Sequence, residues 1–264
     1  MKRKLKFLTV ISALAISVFS CAKQEVSESS AEKLILENSQ KTMHHNANTT
    51  YLPGNSYTYS VSNGSTSVVA IEYIAGDADS RLIITAPHGG NEAPSFMKTR
   101  TEGYDYGTLP DDPYSTDISF GSVTDLRTRE LAISIADSVR IKTGKRPHLI
   151  INHIHRSKLD ANRRKEVATQ GGIYAGPAWE HFHEYIETAK ATILANSASG
   201  LLIDIHGQGH TPERTEVGYL LSKTQLTSNS LGNFTSQSSI RAMVGTGVTH
   251  TSLIKGTNAL GTLL

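Results

Sequence analysis

The fold is indicated most clearly by Leu82-Ile83-Ile84-Thr85-Ala86-Pro87-His88, in which five β-prone residues are followed directly by a proline and a histidine. Two further short apolar runs follow along the chain, Leu149-Ile150-Ile151 and Leu201-Leu202-Ile203. Uninterrupted hydrophobicity over such short lengths is typical of strands that are covered on both faces of a parallel sheet. The three runs therefore predict strands of one sheet.

Two segments with helical periodicity separate these strands. The first is capped by Asp125 and ends at Gly144, and the second begins at Pro177 and ends at Gly200. Strands that alternate with helices predict an α/β fold: an open, mostly parallel sheet with crossover helices on both faces. Nearer the N-terminus, Asn63-Gly64 is a turn signal that predicts a β-hairpin at the start of the domain.

The N-terminus has the pattern of an exported lipoprotein. Met1–Lys6 is basic, Phe7–Phe19 is apolar but too short to span a bilayer, and Val18-Phe19-Ser20-Cys21 resembles a bacterial lipobox. We expect a signal peptide over residues 1–20, a lipid on Cys21, and a location in the bacterial cell envelope, anchored in the membrane and facing the periplasm or the exterior. A plain secretory signal with a chance cysteine is the alternative.

Composition bounds the rest of the chain. Residues 21–60 are polar and predict a tether, which leaves 61–264 for the α/β domain. The formal charge of +2 comes from four basic residues among the first six, and the remainder is slightly acidic, which argues against a nucleic-acid partner. A single cysteine excludes a disulfide framework and a multi-thiolate zinc site.

A polar cluster follows each of the three apolar strands. The clusters are His88-Gly89-Gly90-Asn91-Glu92, His153-Ile154-His155-Arg156 and His206-Gly207-Gln208-Gly209-His210. Parallel strands end at a common edge of the sheet, where α/β proteins bind their ligands. We therefore expect the three clusters to meet at one edge.

Two imidazoles and a carboxylate form the ligand set of a catalytic zinc ion. His88, Glu92 and His206 are the predicted ligands, with Gly89-Gly90 allowing a turn tight enough to bring the first two together. Asp204 lies two residues before His206 and is predicted to support an imidazole. Zinc activates water and polarises a carbonyl group, which suits amide hydrolysis. The alternative is that each histidine only caps a loop.

The segment after the middle strand predicts a site for a substrate carboxylate. Arg156, Asn162 and Arg163 offer planar guanidinium forks and a neutral donor, and Asp160 is placed to orient one arginine. A solvated basic loop is the alternative. His181 and His183 lie on the second predicted helix, where a surface role is favoured over metal binding.

Three motifs together resemble the N-formylglutamate amidohydrolase family, within the wider zinc-carboxypeptidase-like hydrolases. They are Pro-His-Gly-Gly-Asn-Glu at 87–92, Leu-Asp-Ala-Asn-Arg at 159–163 and Asp-Ile-His-Gly at 204–207. The resemblance covers about residues 68–264. It implies a zinc ion held by His88, Glu92 and His206, with Asn162 and Arg163 contacting the substrate carboxylate.

The chain departs from that pattern in two places. Three residues separate His88 from Glu92, where related enzymes have two. Those enzymes also take a general-base Glu from a strand late in the domain, and no such strand follows the apolar run Ala259–Leu264. We therefore expect the domain to be incomplete at its C-terminal end or inactive, and the general base is unassigned; Glu213 and Glu216 are candidate substitutes.

The sequence favours an exported, lipid-anchored, zinc-dependent amide hydrolase. Its expected substrate bears a carboxylate: an N-acyl amino acid, a peptide or a γ-glutamyl compound. Three alternatives remain open: a non-catalytic lipoprotein that binds carboxylates, a two-metal phosphate-ester hydrolase, and a purely structural surface protein.

Overall fold

The computed structural model describes residues 49–107, 109, 120–197 and 199–264. The predicted signal peptide, Cys21 and the tether up to residue 48 lie outside the described residues. The described chain divides into two compact units, residues 49–208 and residues 209–264. The predicted domain 61–264 spans both units, and the three predicted strands all lie in the first.

The first unit contains a five-stranded open sheet in the order β1-β2-β4-β3-β5. The strands are β1 Ser56–Ser62, β2 Ser67–Ile74, β3 Leu82–Ala86, β4 His148–Asn152 and β5 Leu201–Asp204. β3 pairs in parallel with both β4 and β5, whereas β2 pairs antiparallel with both β1 and β4. Four of the five strands therefore run in one direction, and the predicted α/β class is confirmed as a mixed, mostly parallel sheet.

The predicted hairpin is β1 and β2, and it belongs to the same sheet. Gly64 adopts a φ of 91°, a conformation that favours glycine, and the side chain of Asn63 accepts hydrogen bonds from the backbone of Ser65 and Thr66. β1 begins at Ser56, within the segment 21–60 that was predicted as tether.

The helices of this unit are α1 Thr128–Thr143, α2 Lys165–Thr169 and α3 Ala175–Asn196. α1 ends at Gly144 as predicted, in a left-handed conformation with φ 70°. It begins at Thr128, after a left-handed Arg127, and Asp125 does not cap it. α3 begins two residues before Pro177 and ends at Asn196, and the short α2 was not predicted.

The core lies on both faces of the sheet. Ile150 of β4 packs with residues of α3, whereas its neighbours Leu149 and Ile151 pack with Ala132 and Ala136 of α1. Successive side chains of a strand point to opposite faces, so one strand supplies both halves of the core. The predicted covering of both faces by helices is confirmed.

The second unit, residues 209–264, consists of short helices. They are α4 Lys223–Thr227, α5 His250–Lys255 and α6 Leu260–Leu263, with 3-10 helices at Leu231–Gln237 and Arg241–Met243. Capping boxes at Ser222 and Thr249 satisfy the first backbone N–H groups of α4 and α5. Among the described residues, no helix is both long enough and apolar enough to cross a membrane.

Candidate metal centre

Strand ends bring the two predicted histidine ligands together. His88 follows β3 and His206 follows β5, two adjacent parallel strands, and their imidazole centroids lie 4.9 Å apart. Parallel neighbours end at the same edge, which is why residues 118 positions apart in sequence meet here. His88 is buried, whereas His206 is exposed to solvent.

Asp125 completes a group that could hold a metal ion. One ligand atom each from His88, Asp125 and His206 lie within 4.8 Å of one another. Oδ2 of Asp125 is 3.5 Å from Nδ1 of His88 and 3.1 Å from Nδ1 of His206. Bond lengths of about 2.0–2.1 Å to a tetrahedral ion separate its ligand atoms by about 3.3 Å. These two spacings therefore match a shared ion.

Asp125 stands where the sequence led us to expect Glu92. Among the described residues, Glu92 belongs to no such group: its backbone pairs with Ile154 beyond the end of β4, and its side chain lines a cavity with His153. Asp125 is held by its own backbone, whose N–H donates to the carbonyl of His88 at 3.0 Å. Its Oδ2 also accepts a hydrogen bond from the backbone N–H of Gly207.

His88 is oriented from behind by a buried carboxylate. Its Nε2 donates to Oδ1 of Asp160 at 2.6 Å, and both side chains are almost fully buried. Its Nδ1 is buried without a hydrogen-bond partner within the described part of the chain. A metal-binding histidine usually donates a hydrogen bond from one ring nitrogen to a carboxylate and binds the metal through the other nitrogen. The residues present therefore fit a metal ion.

His206 repeats this arrangement in a more exposed position. Its Nε2 donates to Oδ2 of Asp204 at 2.8 Å, and Nδ1 faces Asp125. The hydroxyl of Thr85 donates to the other oxygen of Asp204 at 2.5 Å, which fixes that carboxylate. The predicted support of an imidazole by Asp204 is thus present in the structure.

The pKa shifts in the group reflect its concentration of opposite charges. Burial would raise the pKa of Asp125 and Asp160, but hydrogen bonds from the imidazoles outweigh burial; the pKa of Asp125 falls well below its usual range and that of Asp160 falls to about 2. Burial would lower the pKa of His206, but its bonds to Asp125 and Asp204 raise it to about 9. The carboxylates therefore stay ionised, and a metal ion would have to displace the proton from Nδ1 of His206.

Arg156 was predicted to contact substrate, and its guanidinium contacts two carboxylates of the site. Nε donates to Asp160 at 2.9 Å, and NH1 lies 3.9 Å from Asp125. Arg100 is fully buried, and its NH1 lies 3.7 Å from Oδ2 of Asp160, the same oxygen that Arg156 contacts. The predicted pairing of Asp160 with an arginine is therefore present, and Arg156 also approaches Asp125, which the sequence pattern did not indicate.

The two other predicted substrate residues lie on a turn that α3 holds in place. The indole N–H of Trp179 donates to the carbonyl of Arg163 at 2.8 Å, and Nε2 of His183 donates to the carbonyl of Ala161 at 3.1 Å. Between these anchors the exposed Asn162 places its side-chain amide 3.0 Å from Nε2 of His206. Arg163 is half-buried, with its guanidinium beside the backbone carbonyl of Asn162. Asn162 thus lies at the candidate site.

Gly89 and Gly90 are required for close packing of the loop after β3. A Cβ on Gly89 would lie 2.6 Å from the backbone nitrogen of Arg129 in α1, and one on Gly90 would lie 2.2 Å from the carbonyl carbon of His153. The two glycines therefore allow this loop to pack against α1 and the end of β4. The predicted tight turn that would bring Glu92 next to His88 does not form.

Comparisons of the chain with family models, with curated proteins and with solved structures gave no match. The resemblance to the N-formylglutamate amidohydrolase family therefore stays a prediction. What the chain offers on its own residues is a site of two histidines and an aspartate, backed by Asp160 and Asp204.

Proposed function

We propose that the chain is a metal-dependent hydrolase that cleaves an amide bond in a substrate bearing a carboxylate. One observation carries the proposal: Nδ1 of His88 and Nδ1 of His206 converge on Oδ2 of Asp125. Aspartates hold the opposite nitrogens of both rings, so both Nδ1 atoms are turned toward a single point.

Zinc is the metal we propose, because imidazole nitrogens with one carboxylate oxygen are a zinc ligand set that leaves a coordination position open. When bound, the ion would activate water and polarise the carbonyl group of the substrate. The chain's own residues orient the reactants. Asp160 and Asp204 fix the two imidazoles, and Arg156 keeps Asp160 and Asp125 in place.

Asn162 supports binding of the substrate at this edge of the sheet. Its amide lies on an anchored turn beside His206 and is exposed, so it is available to donate to a substrate carboxylate. Arg163 on the same turn supplies the positive charge in this proposal. Together they favour a substrate whose carboxylate is close to the scissile amide.

We further propose that the protein acts outside the cytoplasm, attached to a bacterial membrane through lipid on Cys21. The basic, apolar and lipobox-like segments at the N-terminus support this location. Extracellular peptides, acylated amino acids and γ-glutamyl compounds are the substrate classes that suit it.

One observation favours a second candidate, a carboxylate-binding protein without turnover. Asp125, Asp160 and Asp204 each contact an imidazole, and Asp160 and Asp204 use both carboxylate oxygens in hydrogen bonds. A general base has to be free to accept a proton from water. Asp160 and Asp204 are not free in that sense, and Asp125 is the proposed metal ligand.

Two measurements on the full chain separate these functions. Metal analysis after dialysis against zinc is expected to give about one ion per chain, and the zinc-loaded protein is expected to hydrolyse members of a panel of N-acyl amino acids and short peptides. His88→Ala should abolish both properties, while Glu187→Gln, which removes an exposed carboxylate of α3 paired with Lys190, should leave both unchanged. Zinc and ligand binding without hydrolysis would select the binding protein, and absence of zinc binding would contradict both candidates.

A further inference from the structure

A cavity lies beside the candidate metal centre at the same edge of the sheet. It measures about 280 Å³ and is lined by Ser67, Val68 and Val69 at the start of β2, together with Glu92 and His153. β2 runs antiparallel to β4, so the start of β2 lies at the edge where β3 and β4 end. Ligand sites for whole small molecules are usually larger than this. The cavity therefore suits one functional group of a longer ligand.

The cavity combines one uncommitted carboxylate with a fixed imidazole. Glu92 is exposed, and its carboxylate makes no hydrogen bond or ion pair within the part of the chain that the structure describes. Nε2 of His153 donates to Glu72 at 2.9 Å, and the hydroxyl of Ser56 donates to the other oxygen of Glu72 at 2.6 Å. Both oxygens of Glu72 therefore already accept hydrogen bonds, and the carboxylate of Glu92 is the one available to a ligand in the cavity.

A metal ion is not the ligand that these groups favour. Metal sites need three or more ligands within reach of one ion, and among the described residues only His88, Asp125 and His206 form such a group. An organic cation needs a single carboxylate, further acceptors and apolar contacts for its carbon atoms. Glu92, the hydroxyl of Ser67 and the two valines supply these.

The cavity lies two strands away from the strand that carries His88. β3 carries His88 at its end, β4 is the next strand and β2 the one after. Neighbouring strands are about 4.8 Å apart, so the cavity lies about 10 Å along the edge from the end of β3. An extended peptide covers that distance with about three residues.

We propose that this cavity binds the positively charged amine of a peptide substrate whose amide bond lies at the metal centre. The inference rests on the proposed function, and it narrows the substrate class to short peptides with a free amino group about three residues from the scissile bond. Asn162 lies beside His206, at the end of β5. In this proposal it contacts the C-terminal carboxylate of the peptide.

The test uses the full chain and two probes, tetraalanine and N-acetyl-tetraalanine, which differ only in the amino group. Imidazole and backbone NMR signals of His153, Val68 and Val69 report on the cavity without requiring hydrolysis. We expect tetraalanine to shift these signals and to bind about fivefold more tightly than the acetylated peptide, a difference typical of one partly exposed ion pair. Glu92→Gln should remove this preference.

Glu187→Gln is the matched control, because it removes an exposed carboxylate of α3 that pairs with Lys190. It should retain the fivefold preference. Equal binding of both probes by the unsubstituted chain, or an unchanged preference in Glu92→Gln, would overturn the inference. Hydrolysis of both peptides by the zinc-loaded chain is measured separately. A binding preference for tetraalanine without hydrolysis would contradict the proposed hydrolase but support the amine site.

Discussion

Nε2 of His88 donates a hydrogen bond of 2.6 Å to Asp160, and this bond turns the opposite ring nitrogen toward Asp125. The bond is buried, with both side chains almost inaccessible to water. A buried charge-assisted hydrogen bond is strong and directional. The fold therefore orients the imidazole of His88 independently of a bound metal ion.

Replacing this buried carboxylate by an amide should weaken metal binding. Asp160→Asn places an N–H donor toward either His88 or the guanidinium of Arg156, because the amide has only one acceptor atom. We expect zinc affinity to fall by about 10- to 100-fold, the usual effect of losing the carboxylate behind a ligand histidine. Competition with a chelating dye measures the affinity. Asp137→Asn, on the exposed surface of α1, is the control, and an equal loss in both variants would refute a specific role for Asp160.

The carboxylate ligand is tested by a pair of variants. Asp125→Asn should lower zinc affinity by on the order of 100-fold or more, because loss of a ligand costs more than loss of a group behind one. Glu92→Gln should change zinc affinity little, since Glu92 lies outside the group. Titration of both variants with zinc measures the two affinities. Strong loss in Glu92→Gln with retention in Asp125→Asn would restore the ligand set expected from the sequence.

The sequence predicted the parts of the site that follow directly from strands. His88 and His206 were found because apolar strands end just before them, and the ends of adjacent parallel strands meet. Asp204 was found because it ends β5 two residues before His206, and alternate side chains of an extended segment point to the same side. Such positions depend on the local pattern and on one topological rule, and both are visible in the residues alone.

Asp125 was missed because its place depends on packing between distant segments. An aspartate before an apolar helical pattern is typical of a helix cap, but the left-handed Arg127 delays the start of α1. The carboxylate of Asp125 turns instead to the imidazoles and to Gly207. Glu92 was favoured as a ligand by its nearness in sequence to His88, although it pairs with Ile154 in the segment that follows β4.

Close packing of the loop after β3 makes a prediction about stability. Gly90→Ala would bring a methyl group to 2.2 Å from the carbonyl carbon of His153, which is backbone and has little room to move. We expect the free energy of unfolding to fall by about 3 kcal/mol or more. Urea denaturation of the full chain measures it. At Gly218 an added Cβ would meet no described atom within 4 Å, so Gly218→Ala should lower stability by less than about 1 kcal/mol.

Acid should destabilise the first unit through His148. Burial lowers the pKa of this histidine to about 4, and its Nδ1 accepts a hydrogen bond from the backbone of Gly76 and lies 2.8 Å from the hydroxyl of Tyr73. The unfolded chain, with a histidine pKa near 6.5, binds the proton more readily, so stability is full above that pH and is lost as the pH falls toward 4. The loss should reach about 3 kcal/mol.

Unfolding in urea at pH 7 and at pH 4.5 measures this loss. His183 contributes in the same direction, because burial lowers its pKa too. His148→Asn keeps an acceptor on the side chain and removes the titrating group, so it should flatten the dependence on pH even if it lowers stability at pH 7. An unchanged slope in that variant would refute the assignment.

The proposed metal centre requires both imidazoles to bind zinc through the same ring nitrogen, Nδ1. Long-range proton–nitrogen NMR spectra of the full chain, with and without one equivalent of zinc, distinguish metal-bound Nδ1 from metal-bound Nε2. We predict that His88 and His206 both bind through Nδ1 and keep a proton on Nε2, directed at Asp160 and Asp204. Zinc binding through Nε2, or NMR signals of both rings that zinc leaves unchanged, would contradict the proposed metal centre.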